Sequence, residues 1–132
     1  MATILIVDDS AFMRGSLKYI VESAGHSVVA TANDGKEAIK LYKKFKPDIV
    51  TLDILMSGMD GLTALAAIKK ENSEAKVIMV SALGQEDKQK EARDIGAVGY
   101  MRKPFKQTEI VDEINWVLGG ERRARERRKL RH

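Results

Sequence analysis

Asp8 and Asp9 follow the apolar run Ile4–Val7, Asp53 follows Ile49–Leu52, and Ser81 follows Val77–Val80. Lys103, at the head of Lys103-Pro104-Phe105, comes just beyond Gly99–Met101. Brought together, three carboxylates repel one another, so one must hold a proton or a cation must neutralise them. Oxygen ligands open to water suit Mg²⁺, which rarely takes an all-protein cage and keeps several waters. Beside such a cation, Lys103 can hold a phosphoryl oxygen as a point charge, and Ser81 can donate a hydrogen bond to another. Asp53 can then act as the nucleophile and take the phosphoryl group as an acyl phosphate.

These residues converge only if the runs before them are neighbouring strands. Ile4–Val7, Val28–Thr31, Ile49–Leu52, Val77–Val80 and Gly99–Met101 are short and mostly β-branched or aliphatic, as buried parallel strands are. Amphipathic stretches separate them. Phe12, Leu17, Ile20, Val21 and Ala24 form one apolar stripe, with Phe12 and Met13 read as packing residues. Ala38, Ile39, Leu41 and Tyr42 form a second, opened by Asp34-Gly35-Lys36-Glu37 with the spacing of a capping box. Leu62, Leu65 and Ile68 form a third, and the highly charged stretch Gln85 to Ile95 reads as a helix mostly open to solvent. Ile110, Val111, Ile114, Val117 and Leu118 form the fifth, stopped at Gly119-Gly120. Five β-then-α units thus fill residues 3 to 118, the pattern of an α/β parallel sheet with helices on both faces and right-handed crossovers. In such sheets chemistry sits beyond the carboxyl ends of the strands, where the acids, the hydroxyl and the lysine stand.

The chain has 132 residues, 44% hydrophobic and 32% charged, which is enough for one globular domain. No apolar run reaches the roughly 18 residues of a membrane span, and the N-terminus reads as a strand and not a secretory leader. Cysteine is absent, which excludes disulfides and thiolate metal sites and fits the cytoplasm. The net charge of +4 is unevenly placed: the last twelve residues hold seven Arg or Lys and two Glu, leaving sixteen basic and seventeen acidic residues before them.

Asp8-Asp9, Asp53, Met59-Asp60-Gly61, Ser81-Ala82 and Lys103-Pro104-Phe105, in this order, resemble the receiver domains of two-component response regulators. The opening Val7-Asp8-Asp9-Ser10-Ala11-Phe12-Met13-Arg14 is most similar to stand-alone chemotaxis regulators of the CheY type. Those regulators are themselves a standard instance of the strand order 2-1-3-4-5, and the resemblance implies this doubly wound, flavodoxin-like order here. It further implies Asp53 as phosphoacceptor, with Asp9 and Asp53 as side-chain ligands of Mg²⁺, Asp8 acting through a metal-bound water, and the Leu55 carbonyl completing the site. Ser81 matches the switch hydroxyl, Lys103 the ion-pairing partner, Tyr100 the aromatic that turns inward with Ser81, and Lys103-Pro104 a cis peptide. Ser57 stands where the family usually has Pro, so this loop reads as more flexible. Leu55 and Leu83 occupy positions that modulate phosphoryl lifetime in relatives. Both are apolar here, and the expectation is slower phosphate loss than from a Leu55→Asn, Leu83→Glu double variant.

Taken singly, the motifs have plainer readings: an Asp pair after a strand caps a helix, and Asp-Gly and Lys-Pro occur in ordinary turns. Their joint placement on one sheet edge favours the chemical reading. The sequence therefore reads as a receiver domain over 1–120 with a basic tail over 121–132, either a helical extension or a linker. The expected function is a phosphorylation-dependent signalling switch, not an enzyme with an external substrate. Its partners would be a histidine kinase and a downstream target such as the flagellar motor switch, as monomer or phosphorylation-dependent dimer. Membrane insertion is not expected, and nucleic acid only through the tail. The rival reading is the receiver half of a DNA-binding transcriptional regulator. A Mg²⁺-dependent phosphatase usually places a general acid two residues after its nucleophile, and Leu55 stands there. Trp116 is left between an exposed partner surface and the core edge, and His26 is assigned no chemistry.

Overall fold

The computed structural model describes residues 1–82 and 86–119. Strands and helices alternate in the order β1 (Thr3–Val7), α1 (Ala11–Ser23), β2 (Ser27–Ala32), α2 (Gly35–Phe45), β3 (Ile49–Asp53), α3 (Gly61–Glu71), β4 (Val77–Ser81), α4 (Glu86–Ile95), β5 (Gly99–Arg102) and α5 (Gln107–Leu118). The five strands make one parallel sheet in the order β2-β1-β3-β4-β5, as the resemblance implies. Parallel strands need crossovers, and the helices covering both faces bury the central strands, so β3 and β4 are inaccessible along their whole length.

Two apolar cores result. Leu5, Leu52, Leu65, Ile68 and Met79 pack with α2 and α3 on one face, while Ile4, Leu17, Ile78, Ile110 and Ile114 pack with α1 and α5 on the other. Each fully buried Leu or Ile contributes roughly 1.5–3 kcal/mol, so these two layers hold the sheet against its helices. Short polar side chains start the helices that lead away from the acidic edge. Ser10 Oγ accepts from Met13 N at 3.2 Å, Asp34 Oδ1 from Glu37 N at 2.8 Å, and Asp60 Oδ1 from Thr63 N at 2.8 Å. The capping pattern at Asp34 is shifted by one residue on its return bond, because the Glu37 carboxylate takes Asn33 N and not Asp34 N.

Several expectations are corrected. Phe12 is 81% exposed and does not belong to the packed stripe of α1, whose buried residues are Leu17, Ile20 and Val21. Met13 does pack, partly buried against the α1–α5 core. Ala24 is exposed as the C-terminal cap of α1, and Leu118 is partly exposed. Trp116 resolves to the interior at 4% exposure, since the buried arc of α5 is wide enough to take in Glu113 and Trp116. Leu83 and the basic tail over 121–132 lie outside the described residues. Among the described residues no helix is long and apolar enough to cross a membrane.

Candidate functional site

Asp8 and Asp9 leave the carboxyl end of β1, Asp53 and Ser81 are the last residues of β3 and β4, and Lys103 follows β5 directly. The parallel register brings these ends level: Asp53 pairs with Val80, and Ser81 with Arg102. Backbone bonds carry the ladder one step further, from Asp8 N to Ala32 O at 3.1 Å, Ile54 N to Val80 O at 3.0 Å and Lys103 N to Ser81 O at 2.7 Å. The sheet thus sets these groups on one rim before any side chain contributes.

Side chains then fix the rotamers. Asp8 is 1% exposed; its Oδ1 accepts from Ser10 N at 2.9 Å, and its backbone oxygen accepts from Arg14 Nη1 at 2.7 Å. Gly61 has a similar positional role. A Cβ there would collide with the Asp53 carbonyl oxygen and come within 2.7 Å of Ile54 Cα, so only glycine lets α3 start against the end of β3. This gives a physical reason for the Asp60-Gly61 pair: one residue caps α3 and the next allows its close approach.

Lys103 spans two acids. Its Nζ donates to Asp8 Oδ2 at 2.9 Å and to Asp53 Oδ2 at 3.2 Å, and the Lys103–Pro104 peptide is cis. Asp8, Asp9 and Asp53 each offer an oxygen within 4.8 Å of the others, with Asp9 exposed and the other two buried. One ammonium does not offset three carboxylates. Burial first, and the Asp8 charge second, push the Asp53 carboxyl from its ordinary 3.8 up to about 6, against the opposing pull of Lys103. Burial works against the Lys103 charge, yet its hydrogen bond to Asp8 and the nearness of Asp53 prevail and hold the ammonium above the ordinary lysine value.

Leu55 and Tyr100 are the other residues to which the sequence assigns a part. Leu55, two residues past Asp53, is 56% exposed. Tyr100 is half-buried on β5; its hydroxyl donates to Ala97 O at 3.2 Å, and the Arg93 guanidinium sits 5.2 Å from its ring centroid. His26 stays structural, its Nδ1 accepting from Ala2 N at 3.1 Å.

Two contacts were not anticipated from the sequence. Gln89 Nε2 donates to Ser81 Oγ at 2.7 Å, a return from α4 that nothing in a run of charged residues announces. Glu113, 8% exposed, accepts Tyr100 N at 3.0 Å on Oε2. A signal for the second does exist: an acid one turn from Ile110 and Val117 stands within the core-facing arc of α5.

Residues 4–115 match the family model of the response regulator receiver domain. The chain belongs to this family. The chemotaxis protein CheY of Thermotoga maritima is 46% identical over 114 residues, covering 86% of this chain and 95% of that protein. CheY of Bacillus subtilis is 45% identical over 115 residues, 87% and 96% of the two chains. Among solved structures, the CheX–CheY–BeF₃–Mg²⁺ complex from Borrelia burgdorferi matches with a TM-score of 0.85 at 41% identity, over 88% of each chain. Receiver domains are signalling proteins and not enzymes in the usual sense, which frames the chemistry of this rim.

Proposed function

We propose that this receiver is a phosphorylation switch in which Asp53 accepts a phosphoryl group from a histidine kinase and the domain then changes its partner-binding face. The observation that carries the reading is the Asp53 carboxylate held 3.2 Å from the Lys103 ammonium, within the same acidic cluster as Asp8 and Asp9. The donor set fits Mg²⁺: three carboxylate oxygens lie within 4.8 Å, one of the acids is open to water, and Asp53 is short of positive charge. Asp9 and Asp53 would hold the ion through their side chains, Asp8 through water, with the Leu55 carbonyl as a further ligand. Bound there, Mg²⁺ supplies the positive charge that offsets the approach of a phosphoryl group to carboxylates.

The residues of the chain do the rest. An Asp53 oxygen attacks phosphorus in line; the new P–O bond forms as the P–N bond to the kinase histidine breaks, and the imidazole leaves with a proton. Lys103 keeps Asp53 oriented and is placed to transfer its hydrogen bond to a phosphoryl oxygen. The added group carries roughly −1.5 to −2 charges and draws the Ser81 hydroxyl toward it. Tyr100 turns inward with Ser81, biasing a two-state face formed by α4, β5 and α5. The chemotaxis relatives, matched over nearly their whole length, support a role in chemotaxis; a cytoplasmic location and the flagellar motor switch as target are part of the same proposal.

Intact mass after incubation with acetyl phosphate, with and without Mg²⁺, tests the chemistry. Wild type is expected to gain one phosphoryl group only when Mg²⁺ is present, and Asp53→Asn to gain none. An unmodified wild type under both conditions would sink the reading.

A further inference from the structure

We propose that Gln89 is a latch on the resting receiver, a positioning residue whose side-chain amide holds the Ser81 hydroxyl toward α4 and competes with the phosphoryl group for it. The inference rests on the phosphorylation reading above and assigns a regulatory contact within the same site.

Apolar packing seats α4 only weakly. Its ten residues include one buried side chain, Ala92, with Ile95 partly buried against the α2–α3 core. What else ties α4 to the sheet is a polar stripe at helical spacing: Glu86, Gln89 and Arg93. Glu86 Oε1 lies 3.5 Å from Arg102 Nη1, Gln89 Nε2 lies 2.7 Å from Ser81 Oγ, and the Arg93 guanidinium lies 5.2 Å from the centroid of the Tyr100 ring. The first pair is exposed at both ends and contributes little. The Gln89 contact differs, because Ser81 is 1% exposed and its partner is half-buried, so water cannot readily replace the bond.

Geometry makes this bond consequential. Ser81 ends β4 on the rim where Asp53 ends the neighbouring β3, and its hydroxyl is tied to α4 through Gln89. Moving Oγ away from this position lengthens the 2.7 Å bond unless the Gln89 side chain or α4 follows it. The amide N–H takes a lone pair of Oγ and a phosphoryl oxygen takes its proton, so the two bonds compete only through where Oγ sits; the charge-assisted bond is the stronger, so phosphorylation prevails, though with an affinity reduced by the population held in the latched state. Arg93, one turn on along the same stripe, covers the ring of Tyr100. Freeing Ser81 therefore also loosens the element that holds Tyr100, which couples the two residues through α4.

Beryllofluoride with Mg²⁺, a phosphoryl mimic, reads the latch directly by titration calorimetry. Gln89→Leu keeps the bulk and removes the donor, and Gln89→Asn keeps the donor and shortens its reach. Both are expected to bind beryllofluoride roughly three- to tenfold more tightly than wild type, the range set by one net hydrogen bond. Affinity for Mg²⁺ alone should not change, and in a Ser81→Ala background neither substitution should tighten binding. Unchanged or weaker beryllofluoride binding by both variants, or the same gain without the Ser81 hydroxyl, overturns the latch. A wild type that fails to bind beryllofluoride, or an Asp53→Asn variant that binds it equally well, overturns the phosphorylation reading itself.

Discussion

On the α3 face, Leu62, Ala64, Leu65 and Ile68 are buried side by side, while at the strand ends Asp8 and Asp53 are nearly as inaccessible and carry carboxylates. The first arrangement removes apolar surface from water and is favourable throughout. The second buries two carboxyl groups against one shared lysine, and burial opposes the ionisation of Asp53. Stability is thus concentrated in the interior and reduced at the rim. A change confined to the rim, or to the thinly seated α4 beside it, therefore leaves the sheet folded.

If the interior carries the stability, a small cut there should be the costliest change. Leu65→Ala is expected to destabilise the domain by about 2–5 kcal/mol in urea unfolding, since the side chain is wholly buried. A loss under about 1 kcal/mol would mean that the interior is not where stability resides.

The rim should show the opposite sign. The Asp53 value of about 6 lies above its ordinary 3.8, so the protonated carboxyl favours the fold. Its contribution is full below pH 3.8 and is lost as pH rises through about 6. At pH 7 without Mg²⁺, Asp53→Asn is therefore expected to raise stability by about 1–2 kcal/mol, less than the full shift implies because the rim is partly open to solvent. The gain should vanish below pH 4 in paired unfolding curves, and a destabilised variant at pH 7 would contradict the assignment.

On α4 the expected effect is smallest. Glu86→Ala removes an ion pair exposed at both ends, and the expected loss is within about 0.5 kcal/mol, disappearing in high salt. A larger, salt-resistant loss would show that α4 is held far more firmly than its single buried residue suggests.

Much of this organisation was legible because short, nearly continuous apolar runs, as strands buried on both faces show, alternate with stretches of helical period. Asp53 and Ser81 nevertheless belong to β3 and β4 themselves, while the apolar runs stop one residue earlier. Backbone pairing continues past the last apolar side chain, and hydrophobic pattern cannot register it. The acids, Ser81 and Lys103 could be found since each follows a strand, and topology alone brings strand ends together. Gln89 could not, because it stands on a helix whose exposed residues follow no apolar period, while its partner ends β4. Phe12 failed for the converse reason: an apolar residue at a plausible spacing reads as core, whereas the core-facing side of α1 starts with the partly buried Met13 and is fully buried only from Leu17. Trp116 needed the width of the buried arc on α5, which depends on how that helix sits in the α1–α5 core.

The carboxylate of Glu113 has a further consequence for how other molecules can approach. β5 is an outer strand of the sheet, and outer strands invite pairing by foreign backbone. At Tyr100 that opportunity is already taken, since its N–H is committed to Glu113 Oε2. Gly99 makes room for the carboxylate there, as a Cβ would come within 2.6 Å of the same oxygen. A visitor to this border cannot simply extend the sheet through Tyr100 N–H; there it meets side-chain shape and charge, such as the Tyr100 ring under the Arg93 guanidinium.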